Sequence, residues 1–326
     1  MGIFAGDQAG LLNHFSKHTC LLVGLSLEDE TLRNVLMQGA RSCPGNFHYY
    51  VHYLKAGETL DHEKQQAITL TNFKVYNLIT LFLHHDRIRS LAELIDVQEC
   101  PTDRFCDFAS EHGIPVRFRF YITGPLGVGK STTINHFRNL FVLDEWLEQR
   151  PLLLAKDWKQ LTAQEKQEAD QWILKQFHQK NSILRNEKEG IFVMDRGPLD
   201  PLSFTPDTEW KDKASALLAA LCPGQAPWKV EDGRVILLEG DGNELALRMA
   251  FTQRKDYTAD KLTEMKDWLG KAYGSSGVTR YDTRGLAPAD VVRRLAEIVH
   301  LERYAPTCDL HKRLQDVQTE GMNVAP

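Results

Sequence analysis

The chain carries the stretch Gly124-Pro125-Leu126-Gly127-Val128-Gly129-Lys130-Ser131, which has the G-x-x-x-x-G-K-S/T spacing of a phosphate-binding loop. The apolar residues 116–122 before it predict a buried strand, and residues 132–138 after it predict the opening of a helix. Glycines let the backbone wrap so that successive N–H groups point at phosphate oxygens, and a helix N-terminus adds partial positive charge. The stretch therefore predicts a nucleoside triphosphate site between a strand and a helix.

Each residue type in this loop has an expected task. Lys130 would reach the β- and γ-phosphates of ATP, and Ser131 would hold Mg²⁺. We expect the remaining ATP contacts from Gly124, Pro125, Leu126, Gly127, Val128, Gly129 and Thr132. The alternative is a glycine-rich turn with a chance lysine, which the complete pattern between a strand and a helix disfavours.

The composition is that of a globular chain of about two domains. Its 326 residues are 42% hydrophobic and 25% charged, with a formal net charge of -5. This balance gives no global attraction to nucleic acid or to an anionic membrane, so a nucleic-acid partner is not favoured. The longest apolar run, residues 78–83, is far shorter than the ~20 residues that span a bilayer. With no signal-peptide pattern and six cysteines that form no C-x-x-C pair, a cytoplasmic protein with reduced thiols is expected.

A second apolar run, residues 191–194, ends in Asp195 and is followed by Arg196. A buried parallel strand would deliver Asp195 at its carboxyl end, where ligands bind in open α/β sheets. There the carboxylate would hold Mg²⁺ together with Ser131, and Arg196 would form a fork to phosphate. The alternative for both residues is a surface ion pair at the end of a strand.

A third apolar run, residues 235–238, precedes two predicted helices with Arg254 and Lys255 between them. Cations at such a position suit a lid that closes over a transferred phosphoryl group and excludes water. Charged residues between helices are also common on ordinary solvated surfaces. Residues 278–283 then predict a last strand, and Pro288 predicts the start of the following helix.

This order of a phosphate loop, an Asp-Arg strand end, a basic lid and a closing strand and helix resembles the thymidylate kinase and deoxynucleoside kinase group over residues 116–303. The resemblance implies a parallel sheet with flanking helices, and a carboxylate facing the substrate at Asp144 or Glu145. It further implies that Glu145 accepts the proton of a nucleoside 5′-hydroxyl beside a base pocket walled by Trp146. The alternative is that Glu145 and Trp146 merely open an amphipathic helix.

The two halves of this motif set favour different acceptors. The Asp195-Arg196-Gly197 end is closer to nucleotide kinases than to the Glu-Arg-Ser of deoxynucleoside kinases, whereas Glu145-Trp146 favours a nucleoside. The acceptor therefore stays open between a nucleoside and a nucleoside monophosphate. The polar residues 152–185 are expected to form helices on the substrate side.

Residues 1–97 predict a smaller parallel α/β segment with strands at residues 19–24, 47–54 and 73–78. The string from Leu22 to Arg33, with His48-Tyr49-Tyr50-Val51, resembles the C-terminal part of sirtuin-like domains. The resemblance implies that Gly24 and Ser26 match a ribose-side turn of that family. The family's glycine-rich dinucleotide loop and an assignable catalytic histidine are missing, so we interpret the segment as a truncated copy. Its half sheet would expose an edge strand and an apolar face, which the kinase-like segment, a second copy or another partner would cover.

Pro101, Gly113 and Pro115 place a linker at residues 98–115, between this segment and a kinase-like domain at residues 116–304, with a polar tail at residues 305–326. The sequence predicts a Mg²⁺- and ATP-dependent phosphotransferase. Its expected catalytic set is Lys130, Glu145, Asp195, Arg196 and Arg254. The alternative, which the fusion motivates, is an ATP-binding module that senses nucleotides and regulates a sirtuin-like or partner effector without turnover.

Overall fold

The computed structural model describes residues 4–98, 102–156, 158–224, 228–251, 257–274, 278–307 and 309–323. The chain divides into two compact units. The first unit comprises Met1–Val116, Asn135–Asn139 and Ala287–Arg303, and the second comprises Arg117–Ile134, Leu140–Leu286 and Tyr304–Pro326. Within the described ranges, no helix has the length and apolar character to cross a membrane.

The regular elements follow one another in chain order. The strands are β1 (Leu21–Leu22), β2 (His48–Leu54), β3 (Leu78–His84), β4 (Arg117–Thr123), β5 (Phe141–Leu143), β6 (Gly190–Asp195), β7 (Arg234–Glu239) and β8 (Thr279–Asp282). The helices are α1 (Phe4–Lys17), α2 (Glu30–Ser42), α3 (His62–Tyr76), α4 (His85–Gln98), α5 (Thr102–Glu111), α6 (Lys130–Ile134), α7 (Ala163–Asn186), α8 (Trp210–Leu221), α9 (Gly242–Phe251), α10 (Ala259–Tyr273), α11 (Pro288–His300) and α12 (Leu310–Glu320).

The first unit is built on a parallel sheet in the order β1-β2-β3. Asp29 caps α2 by accepting a hydrogen bond from the Leu32 amide, and Asp61 caps α3 in the same way. The apolar sides of these elements share one core, which contains Phe15, Leu22, Leu32, Val35, Leu36, Tyr50 and Leu78. The predicted parallel α/β character of this segment is confirmed.

Two strand predictions in this unit are wrong in position. Residues 73–76 end helix α3, and Asn77 closes that helix in the left-handed conformation with φ 52°. The third strand is instead the apolar run from Leu78, which has no polar alternation to distinguish it from a buried helix in the sequence. The first strand pairs only through Leu21 and Leu22, since Gly24 turns the chain with φ 71°. Val23, beyond the pairing, is 47% exposed.

The second unit is built on a parallel sheet in the order β5-β6-β4-β7-β8. The central strand β4 pairs with β6 through Ile122 and Asp195, and with β7 through Thr123 and Leu237. Because all pairs are parallel, the carboxyl ends of these strands lie along one edge. The predicted α/β fold with a parallel sheet and flanking helices is confirmed, and the phosphate loop follows the central strand.

The expected polar tail contains a helix that packs into the second unit's core. Leu310, Leu314 and Val317 of α12 recur at helical spacing, and all three are fully buried. Because polar residues surround these three, the average composition of the segment is polar and does not indicate a buried helix. The proposed linker likewise contains a helix, α5.

The helix after the phosphate loop is shorter than the sequence predicts. Only Lys130–Ile134 form α6, and a 3₁₀ turn follows at Asn135–Phe137. A helix of one turn carries little macrodipole. The loop amides and Lys130 therefore supply more of the positive potential at this turn than the helix does.

Candidate functional site

The phosphate loop is shaped by close approaches between backbone segments. Gly124 has φ 149°, and a Cβ atom there would lie 2.5 Å from the carbonyl oxygen of Leu238 in β7. Gly127 has φ 77°, and a Cβ atom there would lie 3.1 Å from the carbonyl oxygen of Leu245. These positions require glycine, both for the positive φ and for the lack of space. The loop is thus held against β7 and α9, with Val128 buried beneath it.

Lys130 folds back over this loop. Its Nζ donates hydrogen bonds of 2.8 Å to the carbonyl oxygens of Gly124 and Pro125, and the side chain is buried. Burial, together with the nearby charge of Arg196, lowers the pKa of Lys130 to about 8, against the opposing pull of Asp195 and Glu145. The amine is therefore largely protonated at neutral pH, and a phosphate group can attract it away from the carbonyls.

Ser131 and Asp195, the two predicted Mg²⁺ ligands, lie in contact. Ser131 Oγ donates a hydrogen bond of 2.8 Å to Asp195 Oδ2, across the gap between α6 and the end of β6. The Asp195 side chain is buried, and its other oxygen, Oδ1, has no hydrogen-bond partner. A buried carboxylate oxygen without a donor favours a cation as its partner.

Arg196 forms an ion pair with Glu145. Its Nε lies 2.6 Å from Glu145 Oε1, and its Nη1 lies 3.5 Å from Asp200 Oδ2. Burial opposes the ionisation of Glu145, but the attraction of Arg196 and their hydrogen bond outweigh it, so the pKa of Glu145 is lowered. Of the two acidic candidates after β5, Glu145 is the one that faces this arginine. The structure therefore places an ionised carboxylate beside the Asp195 strand end.

A buried network behind Arg196 was not anticipated from the sequence. Asp200 Oδ1 accepts hydrogen bonds from Thr123 Oγ1 and Tyr273 Oη, each at 2.7 Å, and from the Gly197 amide at 3.1 Å. Desolvation raises the pKa of Asp200, although Arg196 and these donors oppose the shift. The available signal was a second acid five positions after Asp195 in a short Gly-Pro turn.

Helix α7 supplies two further residues that the sequence reasoning missed. Lys180 Nζ donates a 2.8 Å hydrogen bond to the main-chain oxygen of Asp195. Gln176 Oε1 accepts hydrogen bonds from the amides of Leu147 and Glu148 at 2.9 and 3.1 Å. Both side chains are buried on one face of α7, at the i, i+4 spacing that could have identified them.

The remaining predicted residues are only partly described. Trp146 packs against Trp172 of α7, with ring centroids 5.1 Å apart. Ser131 and Thr132 are exposed at the mouth of the loop. The expected lid residues Arg254 and Lys255 lie outside the described residues.

In the first unit, Gly24 and Ser26 lie in the turn after β1. Ser26 Oγ accepts a hydrogen bond of 3.1 Å from the Glu28 amide, as in an ordinary serine turn. The resemblance to sirtuin-like domains stays a prediction.

No protein-family model and no curated protein matches the chain. Among solved structures, a tunicamycin resistance protein from Deinococcus radiodurans is 18% identical, with a TM-score of 0.37, over 58% of this chain and 99% of the other. A deoxyadenosine kinase from M. mycoides with bound dATP is 14% identical, with a TM-score of 0.40, over 55% and 96%. The NadR protein in complex with NAD and AMP-PNP is 11% identical, with a TM-score of 0.41, over 86% and 77%. At these scores the likenesses carry no argument about function, and the fold stands on its own strand order and loop.

Proposed function

We propose that the chain is a Mg²⁺- and ATP-dependent phosphotransferase whose acceptor is a nucleoside hydroxyl. One observation carries the proposal: the phosphate loop, Asp195 and the ion pair of Glu145 with Arg196 lie together at the carboxyl edge of the second sheet. Phosphoryl transfer asks the protein mainly to position reactants and to neutralise charge. A phosphate loop, a carboxylate for a cation, and an acid and arginine pair are the parts that this chemistry needs.

The residues present fit a magnesium ion. Ser131 and Asp195 offer hard oxygen ligands, and Asp195 Oδ1 has no other partner. Among the described residues, no group of three or more His, Cys, Asp and Glu side chains is arranged to hold a metal. This agrees with the usual Mg²⁺ site, in which one or two protein oxygens are joined by substrate phosphates and water. When bound, the ion neutralises charge on the transferred phosphoryl group.

Glu145 supports a hydroxyl acceptor. A hydroxyl loses its proton as its oxygen bonds to the γ-phosphorus and the bond from that phosphorus to the ADP oxygen breaks. The ionised Glu145 carboxylate takes this proton. An acceptor phosphate needs no such base, and it would meet the negative charge of Glu145 while Arg196 already faces two carboxylates.

The acceptor class is tested by incubating the full chain with Mg²⁺, labelled ATP and matched sets of nucleosides and nucleoside monophosphates, with products identified by mass. We expect multiple turnovers with one or more nucleosides. Turnover with monophosphates alone would overturn the hydroxyl acceptor. Tight ATP binding without turnover on either set would overturn the phosphotransferase and leave the nucleotide-sensing module.

Replacement of Lys130 by alanine tests the ATP side of the site. We expect Lys130→Ala to lower turnover by at least about 100-fold, because the cation that would turn from the loop carbonyls to the transferred phosphate is lost. Lys312→Ala, at an exposed lysine of α12, is the control and should keep full activity. Circular dichroism checks that both variants fold. Full turnover by folded Lys130→Ala would contradict the assignment of the loop.

Replacement of Glu145 by glutamine tests the proton acceptor. We expect Glu145→Gln to lower kcat by about 10²- to 10⁴-fold, because general base catalysis contributes on that scale, while the Kd for ATP stays unchanged. Glu148→Gln, three residues further along the same segment, is the matched control. A kcat that falls equally in both variants would indicate a disturbed loop instead of a lost base.

The finer assignments stay predictions beside this proposal. They are membership of the thymidylate kinase and deoxynucleoside kinase group, a cytoplasmic location, and a second copy or partner over the first unit. Arg254 is proposed to stabilise the moving phosphoryl group, and Trp146 to wall the base pocket.

A further inference from the structure

We propose that Lys180 is a positioning residue, which sets the peptide between Asp195 and Arg196 so that the two side chains diverge to the metal and to Glu145. The inference rests on the proposed function. It concerns a buried lysine of α7 for which the reaction itself has no task.

Both polar atoms of that one peptide group are held. Its carbonyl oxygen, on Asp195, accepts the 2.8 Å hydrogen bond from Lys180 Nζ, and its N–H, on Arg196, donates to the Ile122 carbonyl of β4 at 3.0 Å. The orientation of the peptide plane is thereby fixed from the helix on one side and from the central strand on the other. Removal of the Lys180 contact leaves the plane held at one atom only.

The conformation beyond this peptide needs such support. Arg196 has φ 72°, in the left-handed region that a residue with a Cβ atom rarely adopts. Strained residues of this kind persist where the surroundings over-determine them. The turn directs Asp195 to Ser131 at 2.8 Å and Arg196 to Glu145 at 2.6 Å. A relaxed turn would break both alignments at once.

The place of Lys180 on α7, outside the phosphate loop that carries Lys130, favours positioning over a direct contact with ATP. The side chain is only 5% exposed, and its ammonium group is committed to a main-chain oxygen. An ammonium group is costly to bury, and an apolar side chain would fill the same space more cheaply. A lysine here is explained by the hydrogen bond that it makes to Asp195.

One helix turn away, Gln176 performs the matching task for the acidic partner. It binds the amides of Leu147 and Glu148, directly after the segment that carries Glu145. Lys180 and Gln176 therefore hold the two sides of the Glu145 and Arg196 pair from a single face of α7. The spacing of these two side chains along α7 therefore sets the distance between Glu145 and Arg196.

The test compares Lys180→Met, which keeps length but loses the donors, with Lys180→Arg, which keeps them. Lys166→Met, at a half-exposed lysine of the same helix, is the control. For each variant, the Kd for ATP is measured in EDTA and in Mg²⁺, and kcat and KM are measured with the best acceptor. We expect Lys180→Met to lose about 10- to 100-fold in kcat and in the Mg²⁺-dependent gain in ATP affinity, as outer contacts of metal ligands do. Its Kd in EDTA should stay within about twofold of wild type, whereas its KM for ATP, which is measured in Mg²⁺, should rise with the lost Mg²⁺-dependent affinity.

The outcomes separate the inference from the proposed function. If Lys180→Met loses ATP affinity equally in EDTA and in Mg²⁺, Lys180 is a phosphate contact, and the inference is overturned. If its melting temperature falls while kcat and the Mg²⁺-dependent gain in ATP affinity stay normal, Lys180 is structural, and the inference is overturned as well. Wild-type protein without turnover would overturn the proposed function, and the Mg²⁺ coupling of Lys180→Met would still decide the inference. If Lys180→Met does not fold, Lys180→Gln replaces it, because its side chain is one atom shorter and cannot keep the 2.8 Å contact to the Asp195 carbonyl. Lys180→Arg must restore the lost quantities.

Discussion

The hydroxyl of Tyr273 lies where a side chain on Gly197 would begin, so Gly197 has no room for a Cβ atom. The same hydroxyl accepts a hydrogen bond from the Leu199 amide at 3.1 Å and donates one to Asp200 at 2.7 Å. The glycine of the Asp-Arg-Gly turn is thus fixed by a tyrosine from α10. At the residue scale, the requirement is a close approach between segments far apart in sequence.

Gly197→Ala should therefore lower the free energy of unfolding by about 1–3 kcal/mol, as overpacking of a tight core does. Tyr273→Phe removes the clashing oxygen together with its hydrogen bonds, so the double variant should lose less than the sum of the single variants. Urea unfolding of all four proteins measures this coupling. Gly39→Ala, where the nearest atom to a Cβ would be 3.8 Å away, is the control. Strictly additive losses would contradict the steric account.

At the element scale, α12 and α7 make more buried contacts in the second unit than their polar composition indicates. Helix α12 places three fully buried side chains in the same core as Trp210 and Met194. Helix α7 begins with a capping box formed by Thr162 and Glu165, and it holds the end of β6 through Lys180 on its buried face. The strands were predictable from the sequence, because an unbroken run of four or more apolar residues that ends in an acidic residue is typical of a buried parallel strand. The helices with only a few apolar residues on one side were not predictable in this way.

Leu314→Ala tests the contribution of α12. We expect it to lower the free energy of unfolding by about 2–5 kcal/mol, because a fully buried leucine leaves a cavity when it is truncated. All six tryptophans of the sequence belong to the second unit, so tryptophan fluorescence reports its unfolding. The exposed Lys312→Ala on the same helix should change the value by less than about 0.5 kcal/mol. Equal, small effects would show that α12 does not stabilise the unit.

On the scale of the whole molecule, the described part of the first unit contains a buried histidine, His48, and a partly buried one, His300, which make it sensitive to acid. Burial, with a contribution from His14, lowers the pKa of His48 from 6.5 to about 4, and burial alone does the same for His300. His48 Nδ1 accepts a hydrogen bond from the Cys20 amide at 3.2 Å, which needs the neutral ring. The unfolded chain therefore takes up protons between pH 6.5 and 4 that the folded unit does not.

The stability of the first unit should accordingly fall as the pH drops from 6.5 towards 4, by up to about 1.4 kcal/mol per pH unit for each histidine. Because this unit contains no tryptophan, amide hydrogen exchange of β2 and β3, followed by mass spectrometry, is the measurement. His300→Phe should reduce the slope by one proton. His62→Gln, at an exposed histidine, is the control. An unchanged slope in His300→Phe would contradict the assignment.

The sequence by itself determined the phosphate loop, its flanking strand, the strand end at Asp195 and Arg196, and the parallel α/β class of both units. These features depend on neighbouring residues only, because a fixed spacing of glycines or an apolar run of a given length lowers the free energy of one local conformation well below that of the others. The tertiary structure alone decided that Glu145 pairs with Arg196, that Lys180 holds the Asp195 carbonyl, and that Tyr273 fills the space beside Gly197. Those contacts join residues 15 to 76 positions apart in the sequence. Only the packing of helices on the sheet brings them within bonding distance, and no periodicity within a single element records it.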